Sequence, residues 1–191
     1  MMNEVLNCIK RRFSCRGYDG APVQREKLDA IVNAALQAPS AMNLQPWEII
    51  VINNKEIIDG LDEEAMGILS ASADKTGYNR IMDRGGKVFY NAPCMFLVLK
   101  HAGSRWADVD AGIMTQNICL AADSLGLNSV IVAMANIPFS GSSAEEMKDI
   151  VGWPDGLEFG MAVLVGHGNT VKEPHEIDMT KVRFVEYTNI T

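Results

Sequence analysis

Asp108-Val109-Asp110-Ala111-Gly112-Ile113-Met114-Thr115-Gln116-Asn117-Ile118-Cys119-Leu120-Ala121-Ala122-Asp123-Ser124-Leu125-Gly126 reads as one long helix. Asp108 and Asp110 open it and Gly126 closes it. Between them Ala111, Ile113, Met114, Ile118, Cys119, Leu120, Ala121, Ala122 and Leu125 cover nearly the whole circumference. A helix that is apolar all round is buried all round. In a chain of 191 residues this predicts either a central core helix or one whose outer side faces a second subunit, and it points to a homodimer.

Outward from this helix, Cys94-Met95-Phe96-Leu97-Val98-Leu99 is an apolar run without alternation, as in a strand covered on both faces. Ser129 to Met134 and Phe159 to Val165 read the same way, and Glu48 to Ile52 forms a further strand. Helical spacing of apolar residues predicts helices over 4–12, 23–38, 57–69 and 143–151, with another over 79–90 interrupted by Gly85-Gly86. Residues 70–78 read as a loop, and the tail from His167 to Thr191 as polar and extended. No internal repeat is visible. One domain over 1–191 follows, of α+β or α/β class, with a sheet flanked by helices.

Composition narrows the function. A hydrophobic fraction of 48% with 21% charged residues is that of a globular chain. Twenty-four acids against 17 bases give a net charge of −7, which argues against a general nucleic-acid binder. No apolar run reaches the roughly 20 residues needed to cross a bilayer, and Met1-Met2-Asn3-Glu4 does not begin a signal peptide. These features predict a soluble, cytoplasmic protein. Cys8, Cys15, Cys94 and Cys119 are scattered as reduced thiols, and His101, His167 and His175 have no ligand spacing, so no metal site is expected.

No G-x-G-x-x-G follows a strand, Gly85-Gly86-Lys87-Val88 is not a P-loop, and no G-x-S-x-G elbow occurs. No side chain is therefore nominated as catalytic. If the protein is an enzyme, a bound organic cofactor has to supply the chemistry.

Two segments read as a cofactor site. In Arg12-Phe13-Ser14-Cys15-Arg16, residues 12, 14 and 16 project the same way if the chain is extended, presenting two guanidinium groups and a hydroxyl to one ligand. The same basic cluster also serves as the dipole-complementing end of a helix. In Pro39-Ser40-Ala41-Met42-Asn43-Leu44-Gln45-Pro46-Trp47, prolines restrict the backbone and small residues let a flat ring approach. Asn43 and Gln45 add donors and acceptors. An ordinary helix-to-strand connection with Trp47 in the core is the other reading of this segment.

Together these segments resemble the nitroreductase family of FMN-dependent oxidoreductases. The likeness rests on Arg12-x-Ser14-x-Arg16 with Tyr18, on Pro39-Ser40-x-x-Asn43-x-Gln45-Pro46-Trp47, and on Asp110-Ala111-Gly112 through Gln116-Asn117 to Leu125-Gly126. Met161 to Gly166 and Lys181-Val182-Arg183 extend it over most of the chain. The resemblance implies a three-layer α+β fold with a mixed central sheet and a homodimer with flavin sites at the subunit interface. It also implies FMN as cofactor, with NADH or NADPH as co-substrate.

The implied site has Arg12 and Ser14 on the ribityl, phosphate or pyrimidine edge, and Arg16 beside the N1–C2 carbonyl edge. Lys181 and Arg183 would complete a phosphate clamp. Pro39, Ser40, Ala41 and Asn43 would reach the flavin of the partner, with Gln45 in the same loop, and Asn79 would lie near the isoalloxazine. A backbone N–H from Val132 to Asn136 would face flavin N5. The implied activity is ping-pong transfer of two electrons from NAD(P)H through flavin N5 to small acceptors such as nitroaromatics or quinones. Two departures stand out: Phe13, where relatives carry polar residues, and residues 134–142, where a Gly-rich turn is common. The second favours an alternative, a flavin-binding or sensing protein with little turnover.

Overall fold

In the computed structural model, which describes residues 3–185, strand β2 (Cys94–His101) runs through the middle. It lies between β1 (Trp47–Ile52) and β4 (Leu157–Gly166), and β3 (Asn128–Ile131) completes the order β1-β2-β4-β3. Successive side chains of a strand point to opposite faces. Met95, Leu97 and Leu99 enter one apolar cluster with Ala162 and Leu164; Cys94, Phe96 and Val98 enter a second with Val163 and Val165. Both faces are covered, which is why these runs lack polar alternation.

The first face is covered by α3 (Lys55–Ala71), α4 (Thr76–Met82), a 3-10 helix (Ala133–Phe139) and α6 (Ala144–Val151). Ile58, Leu61, Ala65, Ile81, Ala135 and Phe139 are their buried contributions. The second face carries α2 (Arg25–Leu36) and α5 (Ala107–Ser124), through Leu28, Ile31, Ala35, Met114, Ile118 and Ala122. Helix α1 (Glu4–Arg11) packs against α5. The result is the expected three-layer α+β arrangement. Its four strands are antiparallel throughout, and the parallel member of the mixed sheet is a single bridge, Ser14 to Ser129.

Several boundaries differ from the sequence reading. The strand expected over 129–134 ends at Ile131: after Val132 donates its N–H to Ala162 O, the chain turns into the 3-10 helix and buries Ala135 and Phe139. The helix expected over 79–90 is α4, which begins inside the expected loop and stops before Gly85 and Gly86. Both glycines adopt positive φ, 99° and 74°, which ends a right-handed helix. Helix α1 forms as its spacing predicts, but Val5, Leu6 and Ile9 face outward and Cys8 is its buried residue. Helix α5 is buried on its inner side, while Val109 is exposed and Ile113 and Leu120 are half-buried.

Gly160 lets α5 lie close to the sheet. A Cβ there would stand 2.9 Å from Val98 O and 3.2 Å from the Ala111 side chain, beside the register shift between Val98 and Leu99. Neither neighbour can retreat, because one is backbone and the other lies on a packed helix. Gly160→Ala is expected to cost about 1–3 kcal/mol, a Tm drop of roughly 2–12 °C by thermal melt. A Tm within 1 °C of wild type, about the drop expected for a surface change, would show that α5 has room to move.

Candidate functional site

Residues 12–19 form the first wall of the site. Helix α1 ends at Arg11, and the next residue, Arg12, is already extended (φ −57°, ψ 132°). The next residues lie along β3: Ser14 bridges Ser129, and Cys15 N–H donates to Ser129 O at 3.0 Å. Extended backbone fixes the alternation. Cys15 is fully buried and Phe13 packs against the core, while Arg12, Ser14 and Arg16, together with an edge of Phe13, line one cavity of about 220 Å³. Arg16 Nη1 reaches back to Ser14 O at 3.4 Å.

The far wall comes from the tail. Tyr18 bridges Gly168, Asp19 N–H donates to His167 O, and Asn169 N–H donates to Gly17 O. Gly168 is required for this closure, because a Cβ there would meet Asn128 Oδ1 at 2.6 Å and Cys15 Sγ at 2.7 Å. The tail then carries Lys172, Glu173, Pro174 and His175 past Arg12 and Arg16. Sequence reasoning missed Lys172 and His175; their only signal was a polar tail.

Lys181 and Arg183 stand elsewhere. Lys181 closes a short 3-10 turn, Met179–Lys181, where its ammonium lies 3.6 Å from Asp178 Oδ2. Both residues are exposed and neither lines the cavity of Arg12 and Arg16. Asn79 is exposed on α4, also outside that cavity.

The second segment, 39–47, projects from the protein. Pro46 and Trp47 are buried at its base, whereas Asn43 and Gln45 are exposed and Met42 is 83% exposed at its tip. Met42, Asn43 and Gln45 all adopt positive φ, at 53°, 55° and 48°. Ser40 Oγ accepts the Gln45 N–H at 2.9 Å, and Asn43 Oδ1 accepts from Gln45 Nε2 at 3.1 Å. From α5, Asp110 Oδ1 accepts the Ala41 N–H at 3.1 Å. No residue of this loop lines the cavity of Arg12.

Helix α5 therefore has one segment at each end. Asp110 near its start fastens the loop, and Asp123 near its close pairs with Arg11 at 2.7 Å, next to Arg12. Thirteen residues of helix separate the two acids by about 20 Å.

The remaining polar groups are structural. Burial pushes Cys94 up to about 12 and raises Cys119, so neither thiol is a nucleophile near neutral pH. Burial also raises the Tyr18 phenol far above its ordinary value, and its hydroxyl donates to Leu164 O at 3.3 Å. Among the described residues no group of three His, Cys, Asp or Glu side chains could hold a metal ion. None of their helices is long and apolar enough to cross a membrane.

Known proteins share this architecture. A Methanothermobacter thermautotrophicus protein named for NADH dehydrogenase and NAD(P)H nitroreductase is 33% identical over 132 residues; the match covers 66% of this chain and 59% of that protein. This chain thus spans a little under two thirds of that relative's length. A nitroreductase with bound FMN from Desulfitobacterium hafniense superposes with a TM-score of 0.92 at 45% identity, covering 97% of this chain and 100% of its own. One from Bacteroides fragilis, also with bound FMN, gives a TM-score of 0.86 at 26% identity over the same shares. The model of the Nitroreductase family matches residues 9–167, spanning the Arg12–Arg16 segment, the loop 39–47 and helix α5, and the chain belongs to that family.

Proposed function

We propose that this protein is an FMN-dependent oxidoreductase that transfers two electrons from NADH or NADPH to small acceptors such as nitroaromatics or quinones. The observation that carries this reading is the shared cavity of Arg12, Ser14 and Arg16, facing Lys172 and His175. Guanidinium forks and a hydroxyl suit phosphate and carbonyl oxygens, so the donor set fits one end of FMN. At about 220 Å³ the cavity lies below the roughly 300–1,000 Å³ of a complete ligand pocket, so one protomer holds only part of the cofactor.

A second copy supplies the rest. The loop 39–45 and the arginine cavity lie at opposite ends of α5. If two copies pair α5 against α5 in opposite directions, each loop meets the partner's cavity. The outer faces of α1 and α5 suit such a contact. Val5, Leu6, Ile9 and Val109 are exposed, and Val5, Cys8, Ala34, Leu120 and Ala121 line an apolar groove of about 420 Å³. The exposed tail carries Val171, Ile177 and Phe184, apolar residues that a partner would cover. Lys181 and Arg183 lie on the same tail, within reach of a phosphate once it is seated on a second chain. Asn79 remains a proposed neighbour of the ring. The four buried thiols and acidic balance support a cytoplasmic location.

Bound FMN supplies the hydride chemistry. The chain's own residues bind, orient and shield it. Arg16, on the cavity wall, would hold a fixed cation for the ring edge where negative charge collects on reduction. Ser40, Ala41 and Asn43 of the second copy would cover the ring and exclude water. The 3-10 helix starting at Ala133 has no side-chain cap on its first N–H groups, which leaves backbone donors for the ring nitrogens.

The test is the visible spectrum of the purified protein before and after anaerobic addition of each nicotinamide. A flavin spectrum that bleaches and is restored by a nitroaromatic is expected. The mass in solution should be twice the 20.9 kDa of the chain. A yellow protein that neither nicotinamide reduces would sink the oxidoreductase reading in favour of a sensor.

A further inference from the structure

Three of the five non-glycine residues with positive φ among the described residues, Met42, Asn43 and Gln45, fall within four positions of one exposed loop. Left-handed backbone at such residues is strained and persists only where the surroundings over-determine it. The loop's internal hydrogen bonds, from Asn43, Leu44 and Gln45 back to Ser40 and Ala41, fix its shape but not its place. Among the described residues, two hydrogen bonds tie 39–45 to another element: Trp47 N–H, at the start of β1, donates to Gln45 O at 2.8 Å, and Ala41 N–H donates to Asp110 Oδ1 across 69 residues of sequence.

Asp110 is an unusual residue for that task. It is only 3% exposed, on the inner side of α5, and its Oδ2 is buried without a hydrogen-bond partner. Burying a carboxylate that makes one hydrogen bond is costly, a cost beyond what its place in the first turn of α5 requires. With no donor competing at Oδ2, the side chain is committed to Ala41.

We propose that Asp110 is the positioning residue of the cofactor loop: by accepting the Ala41 N–H it fixes the left-handed turn that presents Ser40, Ala41 and Asn43 to FMN. This rests on the reading of 39–45 as a cofactor wall. It adds a residue buried in the helix, remote from the arginine cavity, to the determinants of that wall.

The experiment combines amide hydrogen exchange over 41–45 with FMN titration of the full chain. The variants are Asp110→Ala, Asp110→Asn and Ala41→Pro, with the double variant Asp110→Ala/Ala41→Pro. Proline at 41 removes the same donor from the surface side, and the extended backbone of Ser40 (φ −135°, ψ 157°) accepts a following proline. Asp110→Ala is expected to speed exchange over 41–45 and weaken FMN binding, each about tenfold, while exchange in β2 and β4 is unchanged. Asp110→Asn retains an acceptor and stays within about threefold of wild type on both.

The double variant should be no worse than the poorer single one, because both delete one bond. Additive losses in the double variant would overturn the proposal. So would unchanged exchange or FMN affinity in Asp110→Ala, or Asp110→Asn failing as badly as Asp110→Ala. If Asp110→Ala does not fold, Ala41→Pro against Asp110→Asn decides on the same readouts. A wild-type chain that takes up no FMN defeats the cofactor reading itself, a failure visible before any variant is made.

Discussion

Arg16→Ala is expected to weaken FMN binding about tenfold to a hundredfold and to slow its reduction by nicotinamide. Hydrogen bonds to a charged group contribute about 1.5–3 kcal/mol each, and this side chain has no ion-pair partner within the described protein to keep it otherwise occupied. Its cation also stabilises the charge that develops on reduction, so the loss falls on the rate as well as on retention. Arg16 is exposed, and truncating it should leave the melting temperature within about 2 °C, the range of ordinary surface substitutions. Arg16→Lys keeps the charge without the planar fork and should fall between the two. Flavin titration and stopped-flow reduction check both effects; unchanged values in Arg16→Ala would remove this residue from the site.

Phe96→Ala is the largest expected loss of stability. Phe96 is fully buried at the centre of β2, paired with Val51 on one side and Val163 on the other, in the cluster that holds α5 against the sheet. Deleting a buried phenyl costs about 3–5 kcal/mol, against a total of roughly 5–15 for a domain. In a chain this long that lowers Tm by roughly 6–20 °C. Phe96→Leu, which keeps most of the volume, should cost under about 1.5 kcal/mol. Thermal and urea melts separate the two; equal costs for Ala and Leu would mean that the ring's volume is not what packs this face.

The central strands were legible because both of their faces are apolar, a property that needs no knowledge of the partner strand. That Arg12, Ser14 and Arg16 share one side was legible for a similar reason, since extended backbone sends alternate residues the same way, although Phe13 also borders their cavity. What escaped reading depends on distant residues. The turn at Ala133 follows from burial of Ala135 and Phe139, not from local preference. Lys172 and His175 reach Arg12 only because Gly168 allows the tail to close on Cys15. The outward stripe on α1 has the same spacing as an inward one, so periodicity alone could not say which way it faces. Local sequence marks Asp110 as a helix-opening acid and carries no trace of its bond to Ala41, 69 residues away.

Helix α5 also works as a gauge. Two of its three acids fasten something at opposite ends of the helix, Asp110 a loop and Asp123 the arginine that ends α1. One residue inserted between them would rotate everything beyond it by about 100° and advance it by about 1.5 Å. Asp110 and Asp123 could then no longer both meet their mates. The side chains between them can drift, but their number is held fixed by what hangs from either end.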